Sequence, residues 1–213
     1  MMQRKALKRI FLLAVSISFS VTVSVHAAVA AASLPTLREE LLNMKELDQD
    51  VRARAEKGDF EKWAETDARN LRRLKEIVEQ YGWPTYEMVG EDGGRAAWLL
   101  AQHADRDADF QRKVLKLMMP LVDSGQASLK DYAYLYDRTH YPQRFGTQGE
   151  CISREEWQPF EIDDLAGLAE RRRKAGMPAL AEYAALFKPI CASSYNPSAI
   201  VPESRKTIPV PRP

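Results

Sequence analysis

The sequence predicts a mainly α fold, an irregular bundle of about six or seven helices with a small β-hairpin or extended arm. Apolar residues recur at three-and-four spacing in one run after another, as on one face of a helix. Ser, Thr or Asp precedes several of these runs and glycine follows them, which is how helices start and stop. The stretches that read as extended, 86–89 and 149–162, are short. With 213 residues, 45% apolar and 29% charged, the chain has the balance of one globular domain with a buried core.

The first thirty residues read as a secretory signal. Arg4, Lys5, Lys8 and Arg9 precede the apolar run Ile10 to Val25, and small residues follow at Val25-His26-Ala27 and Ala28-Val29-Ala30. The run is shorter than the roughly 20 residues of a membrane span, so cleavage is expected and no retained span. His26 then leaves with the leader. The expected organisation is a leader over 1–30, one helical domain over 34–191 and a proline-rich disordered tail over 192–213. The expected location is exported, either periplasmic or secreted. Export lets Cys151 and Cys191, the two cysteines of the chain, form a disulfide. The formal net charge is +1, and removing the four basic leader residues leaves −3. That balance gives no basic footprint for nucleic acid.

The first mature helix is expected from a capping box at Thr36 and Glu39, with Leu37, Leu41, Met44, Leu47 and Val51 on its apolar face and Gly58 as its stop. Asp59 caps a second helix whose apolar face starts at Phe60 and Trp63 and ends near Tyr81. Arg52, Asp67 and Asn70 are polar positions on these two helices, read as solvated or as structural hydrogen bonders, with an inward turn as the alternative. Pro84 pushes Trp83 into an extended link, Tyr86 to Val89 follows as a strand or arm, and Gly90, Gly93 and Gly94 form a turn. No Gly-Lys-Ser/Thr follows those glycines, so they are not a phosphate loop.

A strongly apolar helix runs from about Arg95 to Ala104, with Ala96, Leu99, Leu100 and His103 on one face, so His103 points inward. Asp105, Asp107 and Asp109 alternate like a calcium loop, but Phe110 stands where glycine is needed and Lys116 where glutamate is needed. Asp107 is instead the cap of a helix running to Val122, and Ser128 caps another that ends near Arg138. Met118 and Met119 read as core filler. A hairpin over 149–162 and two helices, Asp163 to Ala175 and Pro178 to Phe187, close the domain. The basic run Arg171 to Lys174 suits a helix C-terminus as a solvated face, with an anion site as the alternative.

Polar groups concentrate between Glu91 and Gln148. The catalytic candidates are His103, Asp105 and Asp137, because an imidazole beside a carboxylate can act as general acid or base. The ligand-binding candidates are Gln102, Gln111, Arg138, His140, Gln143, Thr147 and Gln148, with Arg138 as a bidentate anchor for a carboxylate or phosphate. The same residues also fit a structural role as helix bridges and loop ties. No metal ligand set and no cofactor motif is recognisable, and there is no Gly-x-Ser-x-Gly or His-Glu-x-x-His.

The runs YGWPT (Tyr81 to Thr85), VGEDG (Val89 to Gly93), AAWLLAQHAD (Ala96 to Asp105), FQ (Phe110, Gln111), AYLYDR (Ala133 to Arg138) and Q-x-x-GTQ (Gln143 to Gln148) closely resemble a bacterial family known as domain of unknown function 6624. The likeness covers most of the chain between Leu37 and Tyr183 and implies no known activity. The cysteine pair and the proline-rich tail depart from the family pattern.

The reading is therefore an exported helical domain that binds a small molecule, a peptide or an envelope protein in a cleft built by the QHAD, DR and GTQ segments. The alternative is an exported hydrolase or lyase with His103 as acid/base and Arg138 as anion binder. A purely structural domain is the third possibility. The first two require an inward-facing imidazole, a guanidinium and a carboxamide to share one open hollow.

Overall fold

A computed structural model describes residues 26–196, with side chains from residue 35 onward. The expected leader up to residue 25 and the expected tail from residue 197 lie outside the described residues. The protein is mainly α-helical with one small antiparallel hairpin. No described helix is long and apolar enough to cross a membrane.

Helix α1 (His26–Ala55) packs chiefly on α3 (Tyr86–Gln102) and then on α2 (Trp63–Tyr81). It runs straight through Pro35, so Thr36 lies inside the helix and is not its cap. A helix already under way carries a proline at the cost of one backbone hydrogen bond. The buried stripe of α1 is Leu37, Leu41, Met44, Asp48, Val51 and Ala55. These residues alternate in steps of four and three, as one helix seam requires. Leu47, expected on that stripe, is 50% exposed, and Asp48 takes the inward place at 1%.

The second helix starts later than expected. Asp59 accepts hydrogen bonds from Arg54 and from the Glu61 amide, which ties up the turn before the helix. Phe60 is left outside at 63% exposure, and α2 begins at Trp63. Its Leu74 and Ile77 are fully enclosed, each worth about 1.5–3 kcal/mol of apolar burial.

The stretch 86–89 is not a strand or arm. It is the first turn of α3, with the Met88 amide donating to Thr85 Oγ1 at 3.2 Å. A capping threonine outweighs the local extended preference of Pro84 and Thr85. At Gly90 the helix kinks through φ 71°, a left-handed value that favours glycine. Gly93 and Gly94 then sit inside the helix, not in a turn. A Cβ at Gly94 would meet the Tyr86 ring at 2.8 Å, so this glycine lets the helix fold against its own first turn.

Asp107 and Ser128 cap α4 (Ala108–Asp123) and α5 (Leu129–Thr139), accepting from the Phe110 and Asp131 amides at 2.9 and 3.1 Å. Strands β1 (Gly149–Cys151) and β2 (Trp157–Pro159) pair antiparallel, with Cys151 opposite Trp157. Helices α6 (Leu168–Lys174) and α7 (Leu180–Ala185) are shorter than expected, because Asp163 to Gly167 forms a turn held by Asp164. A further helix, α8 (Lys188–Ser194), was not foreseen; it carries Cys191 to Cys151, and the two form a disulfide. A second apolar cluster surrounds that link, with Trp157 stacked on Phe187 at 4.7 Å and Tyr183 against both. Closing about 40 residues stabilises the fold by roughly 4 kcal/mol on the chain-entropy account.

Candidate functional site

Two hollows flank Asp105, and they separate the predicted site residues into two groups.

His103 ends α3, its amide donating to Leu99 O. Its Nδ1 lies 2.8 Å from Asp48 Oδ2 and 3.0 Å from Oδ1. Arg52 Nε also lies 2.9 Å from Nδ1, but it has Asp48 Oδ2 as an alternative acceptor at 3.2 Å, whereas two bare acceptors 2.8 Å apart would repel. The hydrogen is therefore assigned to Nδ1, and in the neutral ring Nε2 carries the lone pair. Arg52, one turn beyond Asp48, donates Nε to Asp48 Oδ2 at 3.2 Å and Nη2 to Oδ1 at 3.1 Å. Nη2 also reaches Asp67 Oδ1 at 2.9 Å, and Trp63 Nε1 donates to Asp67 Oδ2 at 2.8 Å. The guanidinium lies over the Trp63 ring, 4.7 Å from its centroid. Burial pushes the Asp48 carboxyl up, but hydrogen bonds from His103, Gln49 and Arg52 outweigh it, and the net shift is below the ordinary value. The imidazole thus has a buried, ionised carboxylate behind it and opens on a hollow of about 360 Å³ lined by Trp63, Leu71, Arg72, Ala104 and Arg106.

Asp105 also lines the second hollow, of about 470 Å³. Arg138 Nε donates to Asp105 Oδ1 at 2.6 Å and Nη2 to Oδ2. Burial raises the Asp105 carboxyl, and Arg138, with Gln111 and His103, more than reverses it, so the net direction is down. The guanidinium fork expected to hold a ligand anion is therefore filled by the chain's own carboxylate. Gln111, Asp137, His140, Gln143 and Gln148 complete the polar wall. His140 stacks flat on Tyr136, ring centroids 4.1 Å apart. Its Nδ1 is 2.9 Å from Thr139 Oγ1 and 3.1 Å from Tyr136 O. A carbonyl can only accept, so Nδ1 bears the hydrogen and Nε2 is again the acceptor.

Three of the other lining residues face inward to the fold. Asp137 accepts from the amides of Arg144, Phe145 and Thr147 at 2.8, 3.1 and 2.9 Å. Burial pushes its carboxyl above the ordinary range against the pull of those three donors. Gln143 spends its amide on Gln148 O, Phe160 O and the Gln148 amide. Gln111 Nε2 bonds Ala101 O at 3.0 Å. Asp137 and Gln143 thus build the wall, while His140, Gln148 and the Asp105–Arg138 pair present groups to the space.

His103, Gln102 and Thr147 do not line this hollow. Gln102 is buried on α3 with Oε1 lacking a partner among the described residues. Thr147 is buried, its carbonyl accepting from Tyr183 Oη at 3.1 Å. The single hollow expected to unite His103, Arg138 and Gln148 is in fact two, because the Asp105–Arg138 pair stands between them.

Sequence reasoning missed Asp48 altogether; of the readings it left open for Arg52 and Asp67, the structure shows the hydrogen-bonding one. The signal was present: Asp48 falls in register with Leu41, Met44 and Val51. It also misread Arg172, which is 1% exposed and not on a solvated face. Arg172 donates Nε to Pro178 O at 2.8 Å and Nη1 to Phe145 O, with Cζ 4.9 Å from the Tyr183 ring centroid. Burial pulls its basicity below the ordinary value. Among the described residues no three His, Cys, Asp or Glu side chains come together as a metal site.

Fold and site together define a mainly α, disulfide-closed domain in which Asp105 lies between a polar hollow bearing His140 and a more apolar one bearing His103. Residues 35–192 match the family described as "Family of unknown function (DUF6624)", and the chain belongs to it. No curated protein and no solved structure matches the chain.

Proposed function

We propose that this is an exported domain that binds a small, uncharged or zwitterionic ligand in the hollow beside His140. The observation that carries this is the gathering of His140, Gln148 and the Asp105–Arg138 pair around about 470 Å³, a ligand-sized space. Arg138 is already matched by Asp105, and Asp137 is sealed by three amides. What remains is an imidazole acceptor, a carboxamide and one internally paired set of charges, which favours hydrogen-bonding ligands over simple anions. Export is supported by the leader pattern and by the Cys151–Cys191 bond, which suits an oxidising compartment. A peptide or envelope protein could offer the same groups from an exposed loop.

The alternative of an exported hydrolase or lyase pairing His103 with Arg138 loses its anion binder, since Arg138 lines the other hollow. Thermal-shift screening with neutral sugars, zwitterionic amino acids, dipeptides and simple anions tests the proposal. Stabilisation by a neutral or zwitterionic compound, lost in His140→Ala and kept in His103→Gln, is the expected result. Stabilisation confined to anions would overturn it.

A further inference from the structure

We infer that the hollow beside His103 is a second site, which moves a proton on a small anionic substrate. The charged groups around the imidazole come from three places: Asp48 and Arg52 from α1, Asp67 and Arg72 from α2, and Asp105 and Arg106 from the turn after α3. Four of these are committed. Asp48 and Asp67 are held by Arg52, and Asp105 by Arg138. Arg72 and Arg106 line the same hollow and make no hydrogen bond or ion pair among the described residues. The unmatched charge at the opening is therefore positive, and guanidinium groups take carboxylate or phosphate oxygens through paired N–H donors. Leu71, Ala68 and Ala104 make the floor apolar, which strengthens such contacts.

The step follows from the tautomer. Nε2 takes a proton from a water as that oxygen bonds to the acyl carbon or phosphorus of an ester-type substrate. The resulting imidazolium donates through Nδ1 to Asp48, which remains ionised and balances the charge. The proton then passes from Nε2 to the ester oxygen as its bond to that same carbon or phosphorus breaks, and the neutral ring is restored. Asp48 and Arg52 are positioning residues, and His103 is the catalytic residue. This inference does not depend on the ligand hollow beside His140.

The test uses the full chain, diethyl pyrocarbonate as a probe of the unprotonated imidazole nitrogen, and inorganic phosphate as the anion. Modification of His103 and of His140 is followed separately by peptide mass spectrometry. Tens of millimolar phosphate should slow modification of His103 several-fold and leave His140 unchanged. The Arg72→Gln/Arg106→Gln double variant alters exposed side chains and should keep His103 reactive but abolish the protection. In Asp48→Asn the charge behind the ring is lost while the amide oxygen can still accept from Nδ1, so phosphate should still protect His103, because the arginines that bind it are untouched. No protection by phosphate, equal protection of both histidines, or protection that survives loss of both arginines would overturn the proposal. Should Asp48→Asn not fold, the arginine variant still decides.

Discussion

Asp137 and Arg172 grip one loop by opposite ends of its peptide groups. The carboxylate takes the amides of Arg144, Phe145 and Thr147, and the guanidinium takes the carbonyls of Phe145 and Gly146. The loop carries Gln143 and Gln148 at its two ends, so this clamp sets the wall of the His140 hollow. It also explains a buried arginine with no carboxylate at bonding distance: its charge is met by carbonyl dipoles and the Tyr183 ring face.

Removing either jaw should cost far more than a surface change. Asp137→Ala leaves three backbone amides without their acceptor, and the expected loss is about 3–5 kcal/mol. Arg172→Met keeps the bulk and strands carbonyls, which are easier to satisfy, so about 2–3 kcal/mol is expected. Urea denaturation measures both. The double variant should lose less than the two single losses combined, since both act on one loop.

A different carboxylate makes the fold sensitive to pH. Asp131 is buried on the first turn of α5, and burial pushes its carboxyl up to about 6, against the pull of Arg95 and Lys130. The unfolded chain releases this proton near pH 3.9 and the folded chain only near 6, so stability falls as pH rises through that window and levels off above it. Asp131→Asn should remove this slope and stabilise the protein at pH 7–8 by about 1–3 kcal/mol. Equal effects at pH 4 and pH 8 in denaturant titrations would count against it. Asp48 has the opposite sign. Its folded value is depressed, so its contribution is present above about pH 4 and is lost as pH falls through that lower value.

The glycine pair in α3 gives a steric prediction. Gly94→Ala places a methyl 2.8 Å from the Tyr86 ring. The expected cost is about 1–3 kcal/mol, the range for overpacking. Tyr86→Leu in the same chain should recover part of it. A neutral Gly94→Ala would show that the first turn of α3 does not pack as described.

Much of this architecture was legible because caps and periodicity are local. Asp107 and Ser128 announce α4 and α5. The errors share one cause, which is that tertiary contacts override local preference. Thr85 caps a helix where the proline-threonine stretch reads as extended, and Pro35 is carried inside a helix that reads as starting after it. Of the candidate site residues, Asp105, Asp137, Arg138 and Gln148 line one hollow, while Gln102, His103 and Thr147 do not. The division into two hollows was not legible, because the partners of His103 and Arg138 lie 55 and 33 residues away.

The choice between Leu47 and Asp48 for the inner face of α1 yields the most discriminating prediction. Leu47 is half exposed, and Leu47→Gln should change stability by no more than about 0.5 kcal/mol. Asp48→Leu completes an apolar stripe yet takes the acceptor from two Arg52 N–H groups and leaves His103 Nδ1 with only Arg52 Nε beside it, so it should cost about 2–4 kcal/mol. Asp48→Leu with His103→Leu removes both members of the pair, and Arg52 keeps Asp67 as its partner. That double variant should regain most of the loss, because an apolar pair of similar volume is often as stable as the buried polar pair it replaces. Chemical denaturation of the three variants decides the point. Recovery in the double variant would mean that stability alone does not require an aspartate and a histidine at these positions, leaving their chemistry at the hollow as the reason for them. Continued loss would mean that the network is there to hold α1, α2 and α3 together.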